Sequence, residues 1–135
     1  MVKLESHIVE VKNSNQKVFT FLSNMNNFEK LMPEQVINWN STETNCSFTI
    51  KGMTDLSLSI SEKIPYSKIV IIPGDKAPFM FNLICLINEN STNNSTVQIV
   101  FQAELSTMME MLAKNPLQNF VNALASKLKE IGEQL

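Results

Sequence analysis

Residues 116–132 read PLQNFVNALASKLKEIG, and the spacing of their apolar members decides the fold. Leu117, Phe120, Val121, Leu124, Leu128 and Ile131 recur at intervals of three and four, which draws one stripe along a helix. Gln118, Asn119, Asn122, Lys127 and Lys129 form its polar back. Pro116 suits the first helical position and Gly132 suits the close. About sixteen residues make a rod about 24 Å long. A stripe of that length must be covered, so a large apolar face is expected upstream.

That face is legible. From Val36 to Leu105 the apolar period shortens from helical to alternating. Ile37 and Trp39 are expected to point one way, and Cys46, Phe48 and Ile50 repeat the pattern. Leu56, Leu58 and Ile60 alternate with Ser57, Ser59 and Ser61, the mark of a half-buried strand. Val97, Ile99, Phe101, Ala103 and Leu105 alternate with residues that are mostly polar. Ser67 to Ile72 and Phe79 to Ile87 lie between. Lys51-Gly52, Pro73-Gly74-Asp75 and the polar run Asn88 to Ser95 supply turns short enough to make neighbouring strands antiparallel. Lys3 to Lys12 reads as one further strand, in which Ile8 breaks the alternation. Ser14 is a good helix N-cap before Val18, Phe19 and Leu22, and Phe28 to Met32 suggests a second short helix that Pro33 ends. The expectation is an α+β domain spanning residues 1–135: seven antiparallel strands, two short helices after the first, and a long C-terminal helix.

Composition excludes several partners. All eleven basic residues are Lys and none is Arg, the side chain that forks onto phosphates and guanine edges, so no nucleic-acid partner is expected. No stretch approaches the run of about 20 apolar residues that a membrane span needs. The first residues lack the apolar run of a signal peptide, which points to the cytoplasm. Cys46 and Cys85 are too few and too far apart for a disulfide framework or a zinc site. His7 has no carboxylate or nucleophile placed beside it by the sequence, and Gly52, Gly74 and Gly132 are too scattered for a phosphate loop. No metal, cofactor or catalytic residue is therefore expected.

The order of strand, two short helices, six antiparallel strands and long helix resembles the helix-grip fold of the START-like superfamily, which includes polyketide cyclases. The resemblance covers essentially the whole chain and is most similar to an uncharacterised bacterial branch. It is carried by Val18-Phe19-Thr20-Phe21-Leu22-Ser23 after an Asn-Ser turn, Met25 to Pro33, Cys46-Ser47-Phe48, and Lys114 to Phe120. The superfamily shares no catalytic motif, so no functional residue carries over. The resemblance implies a cavity between sheet and long helix for a lipid, a polyketide or another small apolar molecule. Some members are enzymes of the cyclase or dehydrase kind, and others are cochaperone-like modules that bind a protein.

On the residues themselves, Trp39, Phe48, Ile50, Leu58, Ile60, Phe81, Leu83 and Phe101 are expected on the inward sheet face, opposite Phe120 and Leu124. They either pack solid or line a ligand pocket. Met108, Met109, Met111 and Leu112 form a flexible apolar segment before the long helix, with Met108 expected at the pocket rim. The runs Ile69–Ile72 and Phe79–Ile87 are apolar on both faces. Their outer face is either covered by the segment from Pro73 to Pro78 or serves as a homodimer contact.

Overall fold

The computed structural model describes residues 2–52, 54–75, 77 and 79–135. Among these, eight strands form one antiparallel sheet: β1 (Val2–Glu5), β2 (Val9–Val11), β3 (Val36–Ser41), β4 (Asn45–Ile50), β5 (Thr54–Ile64), β6 (Lys68–Pro73), β7 (Phe81–Ser91) and β8 (Asn94–Ala103). The spatial order is β1-β8-β7-β6-β5-β4-β3, and β2 also pairs with β8. The helices are α1 (Asn15–Leu22), α2 (Met25–Phe28), which runs into a 3-10 turn at Glu29–Leu31, and α3 (Thr107–Gly132). The α+β helix-grip expectation is met, with four local corrections.

The first strand is two strands. Glu5 pairs with Val100 and Val9 with Val97, so Ser6, His7 and Ile8 stand opposite only Ile99 and Gln98. The extra residue switches the parity of the inward positions from Leu4 to Val9 and Val11. Buried Ser6 fastens the break: its N–H donates to the Ile99 carbonyl at 2.8 Å, and its Oγ accepts from Ile99 N at 2.9 Å. Ile8, which disturbed the sequence pattern, is exposed.

A second bulge corrects β3. Asn38 adopts φ 57°, a left-handed conformation that Asn tolerates, and two residues there oppose one on β4. Val36 and Trp39 therefore share the inward side while Ile37 is exposed. Ile37 and Trp39 do not point the same way.

The second short helix starts earlier than expected, at Met25, because the Asn24 side chain accepts from Asn26 N at 2.9 Å and caps it. The largest correction concerns α3. It begins at Thr107, nine residues before Pro116, where Ser106 Oγ accepts from Met109 N at 3.2 Å. Pro116 lies inside the helix, so the rung to the Leu112 carbonyl is missing. Leu112 is exposed, and its carbonyl can be hydrated there. The methionine segment is thus the start of α3 itself.

α3 packs most closely on β1, β2, β8 and the 3-10 turn. Its buried residues are Ala113, Leu117, Val121, Leu124, Ala125, Leu128 and Gly132; of the predicted stripe, Phe120 and Ile131 are only partly buried. The C-terminal end is tied down. Asn13 Nδ2 donates to the Gly132 and Leu135 carbonyls at 3.0 and 3.1 Å, and Lys129 Nζ donates to the Glu10 carbonyl at 2.9 Å. Gly132 is not left-handed. It is needed for close approach, since a Cβ there would stand 2.6 Å from Val11 Cγ1. At the other end, Ala113 is the only buried residue between Thr107 and Pro116.

Candidate functional site

Two sets of aromatic rings link the elements on the inward side. Phe79, Phe81 and Phe101 form one, with Phe81 and Phe101 stacked at 5.2 Å between centroids. The other crosses from sheet to helix. Trp39 on β3 stacks on Phe48 of β4 at 5.3 Å, and Phe48 faces Phe120 of α3 at 6.5 Å, with interplanar angles of 19° at both steps. The indole N–H of Trp39 donates to Ser41 Oγ at 3.0 Å, and that hydroxyl donates to Asn26 Oδ1 at 2.6 Å. The polar edge of the tryptophan is thereby satisfied while its face stays apolar.

Beside Phe120 the sheet and α3 part, leaving a cavity of about 510 Å³. Its apolar walls are Pro33, Val36 and Ile50 on one side and Pro116, Phe120 and Ala123 on the other. Gln35, Lys51 and Asn119 stand among them, and Gly52 completes the rim. The rim is shaped by a turn: Gly52 has φ 84°, and a Cβ there would meet nothing within 4 Å. The Lys51 N–H donates to the Gln35 carbonyl at 2.7 Å, which fixes that turn to the start of β3. Other depressions have a different character. One of about 340 Å³ lies against Asn40, Ser47, Ser57 and Asp75, and another of about 740 Å³ runs between α1 and Leu135. Neither touches both the sheet and α3.

The sequence-predicted site residues separate into three groups. Ile50 and Phe120 line the mouth, and Trp39 and Phe48 stand behind Phe120 in the ring row without lining it. Leu58, Leu83, Leu124, Phe81 and Phe101 are buried, each at most 4% exposed, and none of them lines the mouth; Leu58 borders the depression of about 340 Å³ instead. Ile60 is half-buried against the same core. Met108 stands apart at 72% exposure, alongside exposed Met111 and Leu112. The inward face is therefore packed through its middle and opens beside Phe120, so both readings of it apply in different places. Pro116, Asn119, Ala123, Lys51 and Gln35 were missed. A signal existed in the helix: Pro116, Asn119, Phe120 and Ala123 share one flank, beside the buried stripe.

Burial pushes both cysteine thiols up to about 12, so neither is an activated nucleophile. Among the described residues no group of three His, Cys, Asp or Glu side chains comes together to hold a metal. No helix among them is long and apolar enough to cross a membrane. On the outer face of the sheet, Val70, Ile84 and Leu86 are half-buried, Ile72 is exposed and Val100 is buried.

No protein-family model matches the chain, and no curated protein matches it by sequence. Solved structures do. A START superfamily protein from Mycobacterium smegmatis is similar with a TM-score of 0.69 at 13% identity, over 98% of this chain and 97% of that one. The fold is START-like. The XoxI protein from Bacillus cereus is similar with a TM-score of 0.77 at 12% identity, over 97% of this chain and 95% of that one. The di-domain ARO/CYC protein BexL, from a biosynthetic pathway, matches with a TM-score of 0.67 at 12% identity. That match covers 96% of this chain and 47% of BexL. In this chain the open end lies between the β4–β5 turn and the middle of α3.

Proposed function

We propose that the protein is a cytoplasmic, non-catalytic carrier for a small apolar molecule seated at the mouth beside Phe120. The observation that carries this is the cavity of about 510 Å³ between sheet and helix, walled by Val36, Ile50 and Phe120, the last of which ends the ring row Trp39–Phe48–Phe120. That volume is within the usual range for small-molecule sites. At roughly 30 Å³ per heavy atom it holds about 15 to 20 atoms. The START-like fold supports the reading, because the resemblance implies a cavity between sheet and long helix.

A cyclase-type reaction is the second reading, favoured by the likeness to BexL. Acid–base chemistry would have to come from Lys51, the one titratable side chain lining the mouth among the described residues. Native mass spectrometry of protein purified from cells separates the two. Unaltered apolar compound held at one per chain supports the carrier. Conversion of an added polyketide-like chain supports the enzyme, and a dry protein that takes up no apolar compound contradicts both.

Self-association through the outer face of β6 and β7 is a separate proposal, resting on Val70, Ile84, Leu86 and Ile72. Light scattering that reads a monomer at high concentration removes it.

A further inference from the structure

The polar groups at the mouth carry information about the ligand beyond its being apolar. The side chains of Gln35, Lys51 and Asn119 make no hydrogen bond or ion pair with any described residue, although many other Asn, Ser and Thr side chains of the chain do. They come from both walls: Gln35 and Lys51 from the β3–β4 side, Asn119 from α3. An amide can donate or accept, so Gln35 and Asn119 alone would suit any polar head. Lys51 can only donate, and its charge selects the sign. Among the described residues no Asp or Glu lines the cavity to neutralise it. The two i,i+3 and i,i+4 ion pairs of α3, Lys127–Glu130 and Lys129–Glu133, lie on its far C-terminal turns.

Resting on the carrier reading above, we infer that the ligand is amphipathic, with a carboxylate head held at the rim by Lys51, Gln35 and Asn119. Its apolar body lies against Val36, Ile50 and Phe120. The arrangement is physically economical. A carboxylate at the rim keeps part of its hydration and gains a charge-assisted hydrogen bond, whereas one driven down beside Phe48 would lose its water without a partner. The apolar body gains by leaving water where the walls are rings and aliphatic carbons. The head chemistry is common to a fatty acid and to an aromatic acid, and the two differ only in the shape of the body.

The test is isothermal titration calorimetry near neutral pH with two matched pairs, decanoate against decanol and naphthoate against naphthol. Because Lys51 is exposed, its advantage is modest: the acid of the better-fitting pair binds about fivefold tighter than its alcohol. Lys51→Gln removes that preference and leaves the alcohol unchanged, while Lys51→Arg retains it. Lys114→Gln, on α3 and outside the cavity lining, changes neither. Equal affinity for acid and alcohol overturns the carboxylate inference and leaves the carrier reading standing. So does an acid preference that survives Lys51→Gln. Failure of all four compounds to bind overturns the carrier reading and this inference with it.

Discussion

Replacing Phe120 with Ala separates the mouth from the core. Phe120 is only partly buried, and it faces Phe48 at 6.5 Å, near the long end of the range for ring pairs. A fully buried Phe→Ala change costs about 3–5 kcal/mol, and half of that is about 2 kcal/mol. The ring pair adds about 0.5 kcal/mol. With a urea dependence of about 2 kcal/mol per molar, typical of small domains, the midpoint falls by about 1 M. Leu124, one turn further along and with no exposed surface, is the control. Leu124→Ala is expected to cost about 3 kcal/mol. Urea unfolding followed through the emission of Trp39, the only tryptophan, reads both variants. Calorimetry with decanoate then reads the site. Phe120→Ala weakens binding about tenfold, equivalent to about 1.4 kcal/mol, and Leu124→Ala leaves it within about twofold. If Phe120→Ala costs more than about 4 kcal/mol, the ring belongs to the core. If both variants lose binding equally, the mouth is not the site.

Three further outcomes follow from the same geometry. Gly132→Ala, which would favour an ordinary helix by about 1 kcal/mol, here destabilises by about 1–3 kcal/mol because its Cβ meets Val11 at 2.6 Å. Thermal unfolding checks the sign. Pro116→Ala restores the rung to the Leu112 carbonyl and raises the melting temperature, with a gain of up to about 3 kcal/mol; an unchanged or lower value contradicts the helix running through Pro116. The buried thiols of Cys46 and Cys85 titrate near about 12 in the native state against 9.0 when free. Their contribution is whole below about 9 and is lost as pH rises from about 9 to about 12, because the unfolded chain releases those protons first. Urea midpoints across that window fall less steeply in a Cys46→Ala, Cys85→Ala variant.

The parts of the fold written in unbroken periodicity were legible. Leu117 to Ile131 repeats at helical spacing for its whole length, and Leu56, Leu58 and Ile60 alternate with serines, so element type and facing both followed. The misreadings fall where one residue resets the count. Asn38 takes a left-handed conformation that any turn-forming Asn can adopt, and nothing in Val36-Ile37-Asn38-Trp39 marks it as a bulge. Ile8 did mark the extra residue in the first strand, but the pattern alone does not say whether a strand bends or breaks. Pro116 misled because proline favours a first turn, and the cap at Ser106 competed with it unnoticed.

At the site, the aromatic wall was readable as inward-facing rings, whereas its extent was not. Leu58, Leu83 and Leu124 have the same inward pattern as Phe48, and only packing distinguishes a filled layer from an open end. Lys51, Gln35 and Asn119 read individually as solvated surface. They are 16 and 68 positions apart along the chain, counting from Gln35 to Lys51 and from Lys51 to Asn119, and the β4–β5 turn and α3 bring them together.

The most direct measurement is a backbone amide and methyl NMR titration with decanoate. Shifts concentrated at Val36, Ile50, Lys51, Gly52, Phe120 and Ala123, with Leu83 and Leu124 little moved, are the predicted result. Shifts centred on Val70, Ile84 and Leu86 of the outer sheet face, or none at saturating ligand, would contradict a binding mouth between sheet and helix.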